Sequence, residues 1–188
     1  GPRKPWIGVC TALCVGATAM LWFATPTPSS ALYALVLVAL ASAAFEFTMV
    51  FYNAMLPDIA PAAIIGRVSG WAWGLGYAGG LACLVFILIA FDTSDLDQVR
   101  LTSVLVAVWF GVFSLPLILW TSDTPARPIS WRGAITEGFG QLIATLRKVR
   151  HHGDIARFLL ARLFYNDGLV TLFAVGGIYA KTTFGMTT

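Results

Sequence analysis

The sequence predicts an all-α fold, a polytopic bundle of membrane-spanning helices, and two observations predict it. The 188 residues are 58% hydrophobic and only 11% charged, whereas soluble domains carry roughly 25% charged residues. The apolar residues also fall in long uncharged runs, each close to the ~20 residues a helix needs to cross a bilayer core. Mean hydropathy is +0.80. The net charge of +3 is small; its placement carries more information than its size, and nothing in it points to nucleic acid.

The elements follow in order. Trp6–Thr25 is uncharged and reads as a first span; Pro26, Pro28, Ser29 and Ser30 then make a tight turn. Ala31–Val50 is a second span, interrupted only by Glu46. A polar connector broken by Pro57 and Pro61 carries Asp58 and Arg67, and Val68–Phe91 is a third, uncharged span. Asp92–Arg100 reads as a short acidic loop and Leu101–Trp120 as a fourth span. A long polar segment, Thr121–Arg157, leads to a fifth span over Phe158–Ala180. The organisation is therefore 1–120 with four spans, 121–157 as a connecting segment, and 158–188 with one. The chain opens Gly-Pro-Arg-Lys-Pro and ends with no stop-like composition, so both ends read as cuts through a longer protein.

Lysine and arginine outside the spans set orientation. Arg3, Lys4, Arg67, Arg127, Arg132, Arg147, Lys148, Arg150 and Arg157 fall on one side, and only Arg100 and Lys181 on the other. The first side is expected to be cytoplasmic, in a multi-pass protein of a bacterial inner membrane. Within the connecting segment Ser130 is a candidate N-cap, and Ile135, Phe139, Leu142, Ile143, Leu146 and Val149 recur at helical spacing. With Arg147, Lys148 and Arg150 at its end, this helix fits the cytoplasmic membrane surface or, equally, a face of the bundle. His151 and His152 read as a solvated turn.

Ionisable groups inside spans are costly and usually face a bundle interior or a wet cavity. Glu46 shares a helical face with Ser42 and Asn53, a polar stripe that either binds a proton, cation or amine or is satisfied by a neighbouring helix. The fifth span holds Arg162, Tyr165, Asn166 and Asp167. Arg162, Tyr165 and Asn166 share a face, whereas Asp167 is turned about 140° from Arg162. Asn166-Asp167-Gly168 is a turn signal, so local unwinding in mid-span is an expectation here, beside the alternative of an intact helix. Gly66, Gly70 and Gly74, then Gly76 and Gly80, recur at spacing four, which lets helix backbones approach closely. Asp58 and Arg67 are candidates for a charge latch between neighbouring helices. Cys10, Cys14 and Cys83 read as small apolar residues, since no other ligand lies near them for a metal. No paired histidines, nucleophile with a placed base, or phosphate loop occurs, so an enzyme is not expected, nor is a resident cofactor.

Phe51-Tyr-Asn-Ala-Met-Leu-Pro-Asp-Ile-Ala60, Gly66-Arg-Val-Ser-Gly-Trp71 and Gly74-Leu-Gly-Tyr-Ala-Gly-Gly80 together resemble the vacuolar-effluxer-like branch of the major facilitator superfamily. The Arg162–Gly168 block resembles the start of that branch's seventh helix. The resemblance implies a partial major facilitator fold, with five of twelve transmembrane helices present as helices three to seven. It places Glu46 and Asp167 on cavity-lining helices four and seven. It implies a secondary transporter of a small solute, such as an amino acid, in which Glu46 and Asp167 are candidates to bind a coupling proton or other cation; the alternative is a non-transporting membrane scaffold or sensor that acts through the amphipathic helix. Its partners would be the lipid bilayer, the substrate and the remaining helices of a full-length chain. The Gly76–Gly80 run lacks the proline of the superfamily's antiporter motif, so antiport is not implied.

Overall fold

Proline and short polar side chains decide where the helices begin. The computed structural model describes residues 2–92, 95–123 and 131–184. Six α-helices occupy nearly all of them: α1 Lys4–Met20, α2 Pro28–Ile59, α3 Ile65–Ala90, α4 Leu96–Trp120, α5 Trp131–His151 and α6 Gly153–Phe184. A 3-10 turn, Leu21–Phe23, extends α1. Pro5 sits in the first turn of α1 and Pro28 opens α2, positions where a missing N–H costs nothing. The Pro-Ser turn is closed by the Thr25 N–H donating to Ser30 Oγ at 3.0 Å. Asp95 caps α4, its carboxylate accepting from the Asp97 N–H at 3.0 Å. Half of the segment read as an acidic loop is thus the first turn of α4.

The helices α1 with its 3-10 extension, α2, α3 and α4 are each long and apolar enough to cross a membrane. Two boundaries differ from the sequence reading. The second helix does not stop at the polar connector: α2 has 32 residues and runs through Pro57 to Ile59. At 1.5 Å per residue it is about 48 Å long, well beyond a ~30 Å hydrocarbon core. Pro57 lies in its last turn, where its missing N–H leaves the Asn53 carbonyl without its helical donor and the helix ends two residues later. The residues left to make the bend are Ala60 to Ile64. The fifth predicted span falls within α6, which also has 32 residues. It is helical straight through Asn166-Asp167-Gly168, so the expected unwinding does not occur. A helix-interior glycine costs only about 1 kcal/mol, less than the hydrogen bonds that opening a turn would forfeit.

The described chain forms two compact units, residues 1–127 and 128–188. In the first, α1 is central and packs against α2 and α4, while α3 touches α2 and α4 only lightly. The buried line is made largely of small side chains: Ile7, Thr11, Cys14 and Ala17 of α1, Leu37, Ala44, Thr48 and Met55 of α2, and Ala107 of α4. On α2 these recur at spacings of seven and four, the seam of a left-handed helix pair. Cys10, Cys14 and Cys83 are free thiols, the last two buried. Trp6 stacks on Phe51 with ring centroids 6.2 Å apart, and Phe45 meets Phe110 at 5.8 Å. In the second unit α5 and α6 are joined through His152, whose ring Nδ1 lies 2.9 Å from the Lys148 carbonyl. The Ser130 cap and the side chains of Ile135, Leu142, Leu146 and Val149 lie outside the described residues.

This packing predicts opposite responses at two neighbouring positions of α4. Ala107 is 2% exposed, so Ala107→Leu overpacks the seam and destabilises the protein by about 1–3 kcal/mol. An added Cβ at Gly111 would lie 3.6 Å from Val15 Cγ2, an ordinary contact. Gly111→Ala is therefore neutral or stabilising, by up to about 1 kcal/mol. Thermal unfolding of the two variants in detergent checks both signs.

Candidate functional site

The seam of α2 fixes which way its polar residues point. Ala44 and Thr48 are buried against the bundle, and the Thr48 hydroxyl donates to the Ala44 carbonyl at 3.0 Å. Glu46, midway between them, is rotated about 180° from their mean direction; Ser42 and Asn53 lie within about 40° of it. All three are exposed. The stripe predicted from the sequence therefore exists as one face, on the side of α2 opposite the packed seam. Among the described residues Glu46 and Asn53 have no hydrogen-bond or ion-pair partner.

On α6, Arg162, Tyr165, Asn166 and Asp167 are all exposed. Because the helix is intact, Arg162, Tyr165 and Asn166 share one face and Asp167 stands about 140° from Arg162. The two charges make no ion pair with each other. The ion pair found on this helix, Arg157 with Asp154 at 3.5 Å, belongs to its first turn.

The glycines of α3 have no neighbours. A Cβ built at Gly66, Gly70, Gly74, Gly76 or Gly80 meets nothing within 4 Å. Gly70, Trp71, Gly74 and Leu75 line a shallow depression of about 420 Å³, and Trp71 is 70% exposed. Within this chain, close helix approach is made instead by Thr11, Cys14, Ala17, Ala44 and Ala107.

The charge latch joins partners other than those expected. Asp58 pairs with Arg3, not with Arg67; Arg67 is exposed at the start of α3. Asp58 closes α2, and its helix returns to the level at which α1 begins, so Arg3 is nearer than a residue across the Ala60–Ile64 bend. Asp123, just past α4, completes the cluster. Its Oδ1 and Oδ2 accept from the backbone N–H groups of Arg3 and Lys4, each at 3.0 Å. A carboxylate on unpaired N–H groups at a helix N-terminus is stabilised by both the hydrogen bonds and the helix dipole. At the opposite end Arg100 lies over the Trp22 ring at 5.3 Å, donates from Nε to the Trp22 carbonyl at 2.8 Å, and pairs with Asp97 at 3.0 Å. Arg3 and Asp123 were not singled out from the sequence. The alternation of spans, which puts residues 3, 58 and 123 on one side, is the signal that could have joined them. No group of His, Cys, Asp or Glu suited to a metal occurs among the described residues.

Residues 62–188 match the family model described as vacuole effluxer Atg22 like. The chain is 31% identical over 132 residues to autophagy-related protein 22-1 of Aspergillus fumigatus, covering 64% of this chain and 22% of that protein. It is 28% identical over 196 residues to the MFS-type transporter YxiO of Bacillus subtilis, covering 96% of this chain and 44% of that protein. The chain thus spans less than half the length of either relative. No solved structure matches it.

The end cluster predicts a ranking of variants. Asp123→Ala removes two hydrogen bonds from the start of α1 and costs about 1–2 kcal/mol. Asp58→Asn costs under about 1 kcal/mol, because the Asp58 side chain is 54% exposed. Hydrogen exchange at the first turn of α1 reads both, with the larger loss of protection in Asp123→Ala.

Proposed function

The chain belongs to the vacuole effluxer Atg22-like family of the major facilitator superfamily, and from that premise we propose that the full-length protein is a secondary transporter moving a small solute by alternating access. Amino acids are the substrate class proposed, on the strength of a carboxylate-binding and an amine-binding group on separate helices. The observation that carries the reading is the outward stripe of α2. A carboxylate on a long apolar helix, with its back to the packed seam and no partner among the described residues, requires a wet cavity or another helix to face. α6 supplies a second such set. Glu46, with Asn53 beside it on α2, is a candidate to hold the coupling cation or a substrate ammonium, and so is Asp167 on α6; Arg162 and Asn166, with Tyr165 on their face of α6, are candidates to hold a substrate carboxylate or complete a polar network. α6 crosses the membrane as a fifth span.

The basic excess puts Arg3, Arg67 and Arg147 on the cytoplasmic side of a bacterial cell membrane. The Arg3–Asp58–Asp123 cluster then lies at the cytoplasmic end of the first unit, and Arg100 with Trp22 at the outer end. The bare glycines of α3 receive helices of the other half, which in a protein of the relatives' length are available to cover them. Arg67, beside this surface, is placed to gate it.

Flux of radiolabelled amino acids into proteoliposomes containing the full-length protein tests the assignment. Glu46→Gln and Asp167→Asn should each lower transport by tenfold or more, on the order of the loss of one charge-assisted contact, with folding intact by size exclusion. Undiminished flux in both would remove these acids from the mechanism. Gly70→Leu and Gly74→Leu, in contrast, should lower transport and thermal stability together, since both fill the surface where helices meet.

A further inference from the structure

Helix α5 carries a second surface that solute transport does not use. It spans Trp131–His151, and two residues of its apolar side are exposed: Phe139 by 63% and Ile143 by 50%. These two lie about 40° apart, and Glu137, Gln141 and Lys148 lie about 140–180° round from their mean. Gln141 Nε2 donates to Glu137 Oε1 at 3.5 Å, along that polar side. The helix backbone is unbroken from position 131 to 151, so the apolar repeat keeps its phase throughout.

We infer that α5 is a docking surface for anionic lipid headgroups, lying in the membrane interface with Phe139 and Ile143 inserted and its basic last turn at the level of the phosphates. Three observations select a lipid surface as the occupant. The charge is complementary: the helix carries four basic residues, Arg132, Arg147, Lys148 and Arg150, and one acid, Glu137. The basic residues crowd its last turn, which is joined to α6 by His152 alone. The first large apolar residues of α6 beyond its opening turn, Phe158 to Leu160, lie only about 7–10 Å along its axis from Gly153, so the basic turn sits at headgroup depth if α6 enters the bilayer. An amphipathic helix with this disposition of charge binds at the lipid interface, and its affinity depends on anionic lipid. The inference rests on α6 crossing the membrane and is independent of what is transported.

Hydrogen–deuterium exchange of the full-length protein in nanodiscs tests it, comparing phosphatidylcholine alone with an equimolar mixture of phosphatidylcholine and phosphatidylglycerol. Exchange across α5 should slow on the order of tenfold in the anionic discs, with α1 to α4 unchanged. The gain should vanish in Arg147→Gln/Lys148→Gln/Arg150→Gln, and in Phe139→Ser/Ile143→Ser as a second, charge-neutral variant. Equal exchange in the two lipids would overturn the proposal. So would protection that persists after the charges are removed, because it would mean that another part of the protein covers the face. Transport failing in the Glu46 and Asp167 variants leaves this result untouched, so the two readings fail separately.

Discussion

Close packing along α1 is the constraint from which the rest of the first unit follows. In a bilayer the lipid chains are as apolar as the side chains, so helices gain little from hiding leucine and associate where small residues allow van der Waals contact. Thr11, Cys14 and Ala17 of α1 are buried, as are Ala44 and Thr48 on α2 and Ala107 on α4, the two helices that pack on α1. Once Ala44 and Thr48 face α1, helical geometry leaves Glu46 no choice of direction. It must point away from the seam. A packing requirement made by alanine and threonine therefore determines where the chain presents its membrane-embedded acid.

The two ends of this unit are tied by polar contacts of different kinds, and the difference bears on rigidity. At one end Asp123 satisfies N–H groups that a helix start would otherwise leave unpaired, and Arg3 reaches across to Asp58. At the other, Arg100 satisfies the Trp22 carbonyl, and Tyr33 donates to the Met20 carbonyl at 3.0 Å. Each end of α1 thus has its orphan backbone groups answered by side chains from α2, α4 or the residue stretch just after α4. Among the described residues α3 has no such ties, and it packs only lightly on α2 and α4.

Much of this was legible in the sequence. Uncharged runs gave the four apolar helices because span length is fixed by bilayer thickness, and helical periodicity placed Ser42, Glu46 and Asn53 on one face. Three features were not legible. Pro57 was read as part of a break, yet α2 carries it within its final turn and ends two residues later. The Asn-Asp-Gly signal is a soluble-protein turn statistic; inside a long apolar helix the backbone hydrogen bonds prevail. The partner of Asp58 depended on which helix ends return to the same level, a tertiary fact that charge spacing along the chain does not contain. The glycine spacing on α3 was real as a pattern, but periodicity marks a surface without saying whether its partner lies in the same chain segment.

The intact α6 changes what its polar block can do. An unwound turn would have let Arg162, Asn166 and Asp167 converge on one ligand through backbone groups as well as side chains. A continuous helix separates Asp167 from Arg162 by about 140°, so one face presents a cation with an amide and a phenol, and another presents an acid. A single small ligand seated against α6 alone cannot touch both. The polar chemistry of α6 is therefore divided between two faces, a cationic one with an amide and a phenol and an acidic one, and the two do not converge on this helix alone.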